Sequence, residues 1–448
     1  MKTDFSFFAR RRFLPLFGTQ FLGALNDNLL KTAVIVLISF HGLTLAGLPP
    51  AQLVNVATAV FLLPFFLFSA TAGKVAERYD KALVARRIKQ VEVGIMLLAA
   101  GGFVLMSAAM LLAALFLMGV HSTFFGPLKY SVLPQYLHGE ELVGGNGLIE
   151  MGTFIAILAG QIGGSIAADH HIGLIIGLTV AAAVAGYGFS HTMPPAPPAA
   201  PELRLSWNIW ADSRDLLQEA WRLPDVRAAI LGISWFWLMG TLYTTQLPIF
   251  TRLHLGGDGS VYTVLLACFS VGIGIGSVVC AKLSRGRLEL GLVLVGALGL
   301  SLFGLDLAFN NYLLYLPPLE GAQPLVDEAG RLLGWQAFLG RAAAWHVMAD
   351  VALLGFSGGF FTVPLYTWLQ TASPAVFRSQ AVAANNIVNG FYMVAGVGAS
   401  GLVLALKNNV ALLFLIASVV NLLATWGLVR AGPAIWAART GWLQRAEH

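Results

Sequence analysis

Charge is what this chain has least of. Lys, Arg, Asp and Glu make up 11% of its 448 residues, against about 25% in soluble globular proteins. The deficit runs the whole length, so a soluble domain with one anchor is excluded. Cysteine is almost absent. Cys268 and Cys280 lie in one apolar segment, about 18 Å apart along a helix, too far to bridge, so no disulfide framework exists. Alternating apolar and polar strands of about ten residues, the mark of a membrane barrel, are missing too. So are a Walker A lysine loop, zinc-ligand spacing and a His-x4-Asp pair, and the Gly-x-Ser-x-Gly string at Gly355 to Gly359 lies inside an apolar span rather than at a strand-to-helix elbow, which leaves no enzyme signature. Gly272, Gly274 and Gly276 imitate a phosphate loop, but inside an apolar span small residues serve helix packing.

What is present is hydrocarbon. Hydrophobic residues make up 57% of the chain and the mean hydropathy is +0.75. A helical span needs about 20 apolar residues, and the apolar windows predict helices near 13–40, 52–73, 88–107, 109–134, 145–168, 172–191, 226–250, 261–282, 288–309, 342–368, 385–405 and 409–430. The first, behind Arg10, Arg11 and Arg12, is too long and too charged for a removed signal peptide. This predicts an all-α integral membrane protein of twelve spans, with six-helix bundles over 1–192 and 226–448. The Pro-rich stretch from Pro194 to Pro201 opens a linker over 193–225, in which Trp207, Trp210, Leu217 and Trp221 predict a helix lying on the membrane surface.

Basic residues sort by side. With the N-terminus inside, twenty-one Lys and Arg fall on the cytoplasmic side and Arg252, Arg331, Arg341 and Lys407 on the other. That is the positive-inside pattern, and it explains the net charge of +5 without invoking nucleic acid. The halves also repeat. Phe124-Phe125-Gly126-Pro127-Leu128-Lys129-Tyr130 resembles Phe360-Phe361-Thr362-Val363-Pro364-Leu365-Tyr366, and Asn146 to Glu150 resembles Asn385 to Asn389.

Charges inside spans are expensive, about 2.5–3.5 kcal/mol each on an insertion scale, and mark function by default. Asn26-Asp27-Asn28 sits at the middle of the first span, with Lys31 one turn on. Asp27 and Lys31 can pair at i,i+4, hold a zwitterion or carry a proton. Lys129 in span four and Glu150 in span five lie at equal depth, which suggests a buried ion pair; Lys129 can also snorkel or capture a phosphate. His346 and Asp350, at i,i+4, suit a metal or a proton relay, although a first-turn position near the outer surface needs neither. Asp169-His170-His171 reads as an exposed loop. No metal or cofactor is assigned.

Two parallel six-helix halves joined by a cytoplasmic linker are the architecture of the major facilitator superfamily. The loop Gly73-Lys-Val-Ala-Glu77-Arg78-Tyr-Asp80-Lys81 resembles its Gly-x-x-x-Asp-Arg-x-Gly-Arg/Lys signature, with Glu77 for Asp and Asp80 for the second Gly. The resemblance implies that Gly73, Glu77, Arg78 and Lys81 latch the halves together. More narrowly, Arg12 to Lys31, Phe125 to Gln135 and Gly144 to Glu150 resemble the lysophospholipid transporter family. That implies movement of lysophospholipids such as lysophosphatidylethanolamine from the outer to the inner leaflet of a bacterial inner membrane, where an acyltransferase, here a separate chain, restores the second acyl group. It carries the family's first-helix acid onto Asp27, its Pro-x-Lys-Tyr lysine onto Lys129 beside Tyr130, and its acid after Asn-Gly onto Glu150. A basic residue of helix seven has no counterpart: Gly240 to Gln246 is uncharged, with Gln246 the polar candidate. The segment 310–341 is longer than the resemblance leads one to expect. A proton-coupled exporter of amphiphiles, with Asp27 as the protonated group, and a silent scaffold presenting an acyltransferase are the competing classes.

Cysteine placed at Ser206 and at Ser260 tests the sidedness in intact cells. An impermeant maleimide is expected to label position 260 and spare 206; the reverse would overturn the orientation.

Overall fold

The computed structural model describes residues 5–206, 208–314, 331–407 and 409–440. Trp207 and residues 315–330 of the 310–341 segment therefore lie outside the described residues. The elements are α1 (Leu14–Phe40), α2 (Pro50–Arg78), α3 (Lys81–Val104), α4 (Ala108–Tyr136), α5 (Leu142–His170), α6 (Ile172–His191), α7 (Ile209–Arg222), α8 (Pro224–Leu253), α9 (Gly259–Ser284), α10 (Gly291–Leu314), α11 (Trp335–Leu339), α12 (Ala342–Ala372), α13 (Arg378–Lys407), α14 (Val410–Ala431) and α15 (Pro433–Ala437). A 3-10 turn over Gly139–Glu141 precedes α5. Among the described residues the only β pairing is an isolated bridge between Gly257 and Leu333.

Twelve of these helices have spanning length. Eleven are also apolar enough to cross a bilayer. The twelfth, α3, has 24 residues but carries Arg86, Arg87, Lys89 and Glu92. It starts at Lys81, a full two turns before its apolar window, because the Asp80 carboxylate accepts from Leu83 N at 3.0 Å and caps it. Lys89, at the edge of the 88–107 window but counted with the cytoplasmic basic residues, lies well inside α3 and is fully buried. Asp169 and His170, expected in a loop, close the last turn of α5, and only His171 stands exposed between helices.

Helix ends beside the linker form one face of the molecule, here the linker end. There α7 docks by its apolar side, burying Leu216 and Ala220, while Trp210 stays exposed. Lys74 Nζ meets Asp212 at 2.8 Å, Arg78 donates to Leu203 O at 3.1 Å, and Asp80 accepts from Ala196 N at 2.9 Å. The linker is thus strapped to the α2–α3 turn.

The first six spans meet the last six chiefly at this end. Tyr130 of α4 and Tyr366 of α12, equivalent positions of the sequence repeat, stack with centroids 4.2 Å apart. Asn146 and Gln370 exchange amide hydrogen bonds of 2.7 and 3.0 Å, and Gln370 also donates to Tyr130 O at 3.0 Å. Ser379 donates to Ser131 Oγ at 2.8 Å. Gly147 lets α5 lie so close to α9 that a Cβ would sit 2.8 Å from Ser277 O. Towards the opposite end, Phe391, Val394, Val397 and Leu402 of α13 are exposed.

Gly272 and Gly276 serve helix packing, as their place in an apolar span led one to expect. A Cβ on Gly272 would collide with Ala352 O, and one on Gly276 with Phe356 O, both on α12. Gly396 packs on Leu238 of α8. All three serve close packing among the last six spans, as interhelical glycines do in membranes; Gly274, one residue step round the helix, is the one that meets α5, at Met151.

Candidate functional site

Asp27 is held across the bundle. The Ser122 hydroxyl of α4 lies 2.8 and 2.6 Å from the two carboxylate oxygens of Asp27. Lys31 does not pair with it: its ammonium sits over the Phe61 ring, 5.5 Å from the centroid. The i,i+4 pairing considered from sequence is therefore replaced by two contacts to neighbouring helices. Asn28 turns back on its own helix, donating to Ala24 O at 2.8 Å.

Lys129 and Glu150 likewise do not form the expected ion pair. Tyr130, between them, donates its hydroxyl to Glu150 Oε1, and the Lys129 ammonium lies 4.7 Å from the Tyr130 ring centroid. The acid is taken by the neighbouring Tyr130 instead of by Lys129. Glu150 is fully buried and its Oε2 accepts no hydrogen bond. Gln246 also keeps a buried, unbonded Oε1.

Behind Asp27 lies a cluster that sequence reasoning missed. Lys89 Nζ meets Glu92 Oε2 at 2.6 Å, and both side chains are wholly buried. His121 Nε2 lies 3.0 Å from the same oxygen, and Asn26 donates to Glu92 Oε1 at 2.8 Å. Gly23 makes room for the ammonium, since a Cβ there would stand 2.6 Å from Lys89 Nζ. Lys89 also faces the Phe125 ring at 5.2 Å. The signal available was the i,i+3 pair itself; it was obscured because Lys89 ends a basic run and is counted with it.

Gly73, Glu77, Arg78 and Lys81, for which the resemblance implies a latch, gather at the linker end. Glu77 is fully buried and accepts from Ser379 N in the first turn of α13, where a carboxylate faces unpaired N–H groups and the positive end of the helix dipole. Lys81 Nζ stands 3.8 Å from Glu77 Oε2. A Cβ on Gly73 would lie 2.8 Å from Ala383 Cβ, so α2 and α13 touch there. Arg78 instead holds the linker. Three of the four residues thus sit at the contact between the first and last six spans.

This geometry, charges enclosed in a helical bundle and a Gly-x-x-x-Glu-Arg turn clamped to the other half, is matched by the comparisons. Residues 16–319 fit the sequence profile of the Major Facilitator Superfamily. The chain belongs to that superfamily. Among relatives of this major facilitator protein, the lysophospholipid transporter LplT of Cronobacter sakazakii is 28% identical over 89% of this chain and 90% of its own. That of Serratia proteamaculans is 28% identical over 84% of each. The fold matches the human organic anion transporter MFSD10 with a TM-score of 0.70, at 14% identity, covering 94% of this chain and 99% of that one. It also matches a bacterial homologue of the iron transporter ferroportin in its outward-facing state, with a TM-score of 0.59, at 16% identity, covering 93% and 99%. The major facilitator chain is accordingly a multi-pass membrane transporter and not an enzyme.

Removing one partner of a buried ion pair costs about 3–5 kcal/mol, whereas replacing both is often close to neutral. Lys89→Met and Glu92→Gln are each expected to lower the melting temperature and yield of the purified transporter, and the double variant to recover much of the loss. Thermal melting of all four proteins gives the coupling energy.

Proposed function

We propose that this transporter moves lysophospholipids, such as lysophosphatidylethanolamine, from the outer to the inner leaflet of a bacterial inner membrane, its termini and linker in the cytoplasm, and that a separate acyltransferase there restores the second chain. The observation that carries the reading is the state of the central charges. Lys31 and Lys129 rest on aromatic rings, and among the described residues neither has a carboxylate within ion-pair distance. Asp27 is held by a hydroxyl alone among its close contacts. Two ammonium groups and one carboxylate suit a phosphate and an amine, the two charges of a zwitterionic head group. The relatives named for lysophospholipid transport support the same substrate.

The physics favours a lipid with one chain. Drawing an acyl tail through water costs about 0.8 kcal/mol per methylene, so the tail stays in hydrocarbon while the head follows a polar path. The contacts between the first and last six spans gather at the linker end, which fits a site reached from the opposite end, between α5 and α9 or between α2 and α13. Gly73, Glu77 and Lys81 act as the latch that must open for release on the linker side.

Proteoliposomes supply the test. Asp27→Asn protein that is made normally is expected to lose most uptake of lysophosphatidylethanolamine, and disulfide closure of α5 to α9 near the end away from the linker is expected to slow uptake until reduced. Full uptake by Asp27→Asn would remove Asp27 from the site; uptake unaffected by closure would assign entry to the α2–α13 gap. Export of small amphiphiles against a pH gradient, without lysolipid movement, would instead favour the exporter reading.

A further inference from the structure

Away from the central charges, at the end opposite the linker, α10 and α12 bring three donors together. His346 Nε2 lies 2.9 Å from Asp306 Oδ2 and 3.5 Å from Asp350 Oδ2, and one ligand atom from each of the three residues lies within 4.8 Å of the others. The i,i+4 step places His346 and Asp350 on one face of α12, and α10 supplies the third group, which no sequence spacing announces. Donor atoms on a tetrahedral zinc ion with bonds of 2.0–2.2 Å are separated by about 3.3–3.6 Å; His346 to Asp350 already has that spacing, and His346 to Asp306 is a few tenths of an ångström shorter.

Asp350 is the observation that calls for a ligand. It is 3% exposed, its Oδ2 points into the cluster, and that oxygen accepts no hydrogen bond. A buried carboxylate left without a donor is costly, and a second carboxylate beside it adds repulsion. A proton on His346 answers one negative charge; a divalent cation answers two and binds Oδ2 directly. His346 and Asp306 are about half exposed, at 51% and 45% of their side-chain surface, so the site opens to solvent. Trp335 and Trp345 are exposed nearby, as aromatic side chains are at the depth where hydrocarbon meets water.

We propose that Asp306, His346 and Asp350 form a divalent-cation site that clamps α10 to α12. One imidazole and two carboxylates select first-row metals such as Zn2+ or Mn2+ over Mg2+ and Ca2+, which favour oxygen alone. Three protein ligands leave room for water, so the ion exchanges with the medium on that side. The site stands apart from the proposed head-group residues and does not depend on the identity of the substrate.

Calorimetric titration of the chelator-treated full chain, purified through a tag without histidine, tests the site with Zn2+, Mn2+ and Mg2+. The expected result is one equivalent of Zn2+ or Mn2+, a higher melting temperature with metal, and weak or no Mg2+ binding. His346→Ala and Asp306→Asn, both at exposed positions, are each expected to weaken binding at least about tenfold and to abolish the thermal shift, while His171→Ala leaves both unchanged. Asp350→Asn is expected to behave like them where it folds. Absence of saturable binding to the native chain, or equal binding by His346→Ala, would overturn the proposal.

Discussion

A charge inside a hydrocarbon-like span must find a partner or face a ligand, and the arrangement of this protein follows from that constraint. Water is absent from the bilayer core, so unpaired polar groups there cost several kcal/mol. The buried ionisable groups divide accordingly. Lys89 and Glu92 neutralise each other, with Asn26 and His121 completing the carboxylate's contacts. Glu77 is answered by the start of α13 and by Lys81. Asp27, Lys31 and Lys129 are left with a hydroxyl and two aromatic faces, contacts that compensate charge only partly. Glu150 Oε2 and Asp350 Oδ2 are also buried without a hydrogen bond.

Lys129 is connected to the junction between the first and last six spans. Lys129 rests on Tyr130; Tyr130 bonds Glu150 and stacks on Tyr366; its backbone oxygen accepts from Gln370, which also binds Asn146. Lys129 is therefore one contact away from the junction of the halves. A major facilitator protein works by rocking its halves, and separation at the linker end has to break the Tyr130–Tyr366 stack and the Asn146–Gln370 pair together with the Glu77 contact to α13. The stack and the Asn146–Gln370 pair are neutral contacts of modest individual strength, and the Glu77 contact is a charge-assisted hydrogen bond.

Much of the fold was legible because a spanning helix advertises itself by length and composition. Twelve spans, the repeated Phe-Phe and Tyr positions and the amphipathic stretch after the prolines could be read directly. The errors share a physical origin: sequence gives depth along a helix far better than it gives rotation or neighbours. Equal depth suggests a pair of Lys129 and Glu150, yet Tyr130 takes the acid. Gly272 and Gly276 do permit close approach, but that the neighbour they approach is α12 comes only from the packing. Lys89 and Glu92 both fall in the predicted 88–107 helix, but Lys89 ends a basic run and is counted with it, and only the packing of α3 shows that the pair is buried. Asp306 has no sequence relation to His346 and Asp350; only the packing of α10 against α12 joins them.

The account stands on the claim that the central ammonium groups recognise a charged head group. The most direct measurement is equilibrium binding of lysophosphatidylethanolamine and of a monoacylglycerol with the same tail to the purified protein and to Lys129→Gln. A charge-assisted contact is worth about 1.5–3 kcal/mol, roughly ten- to hundredfold in affinity. The native protein is expected to prefer the lysophospholipid by that margin and Lys129→Gln to lose most of the preference. Equal binding of the two lipids by the native protein would contradict the claim.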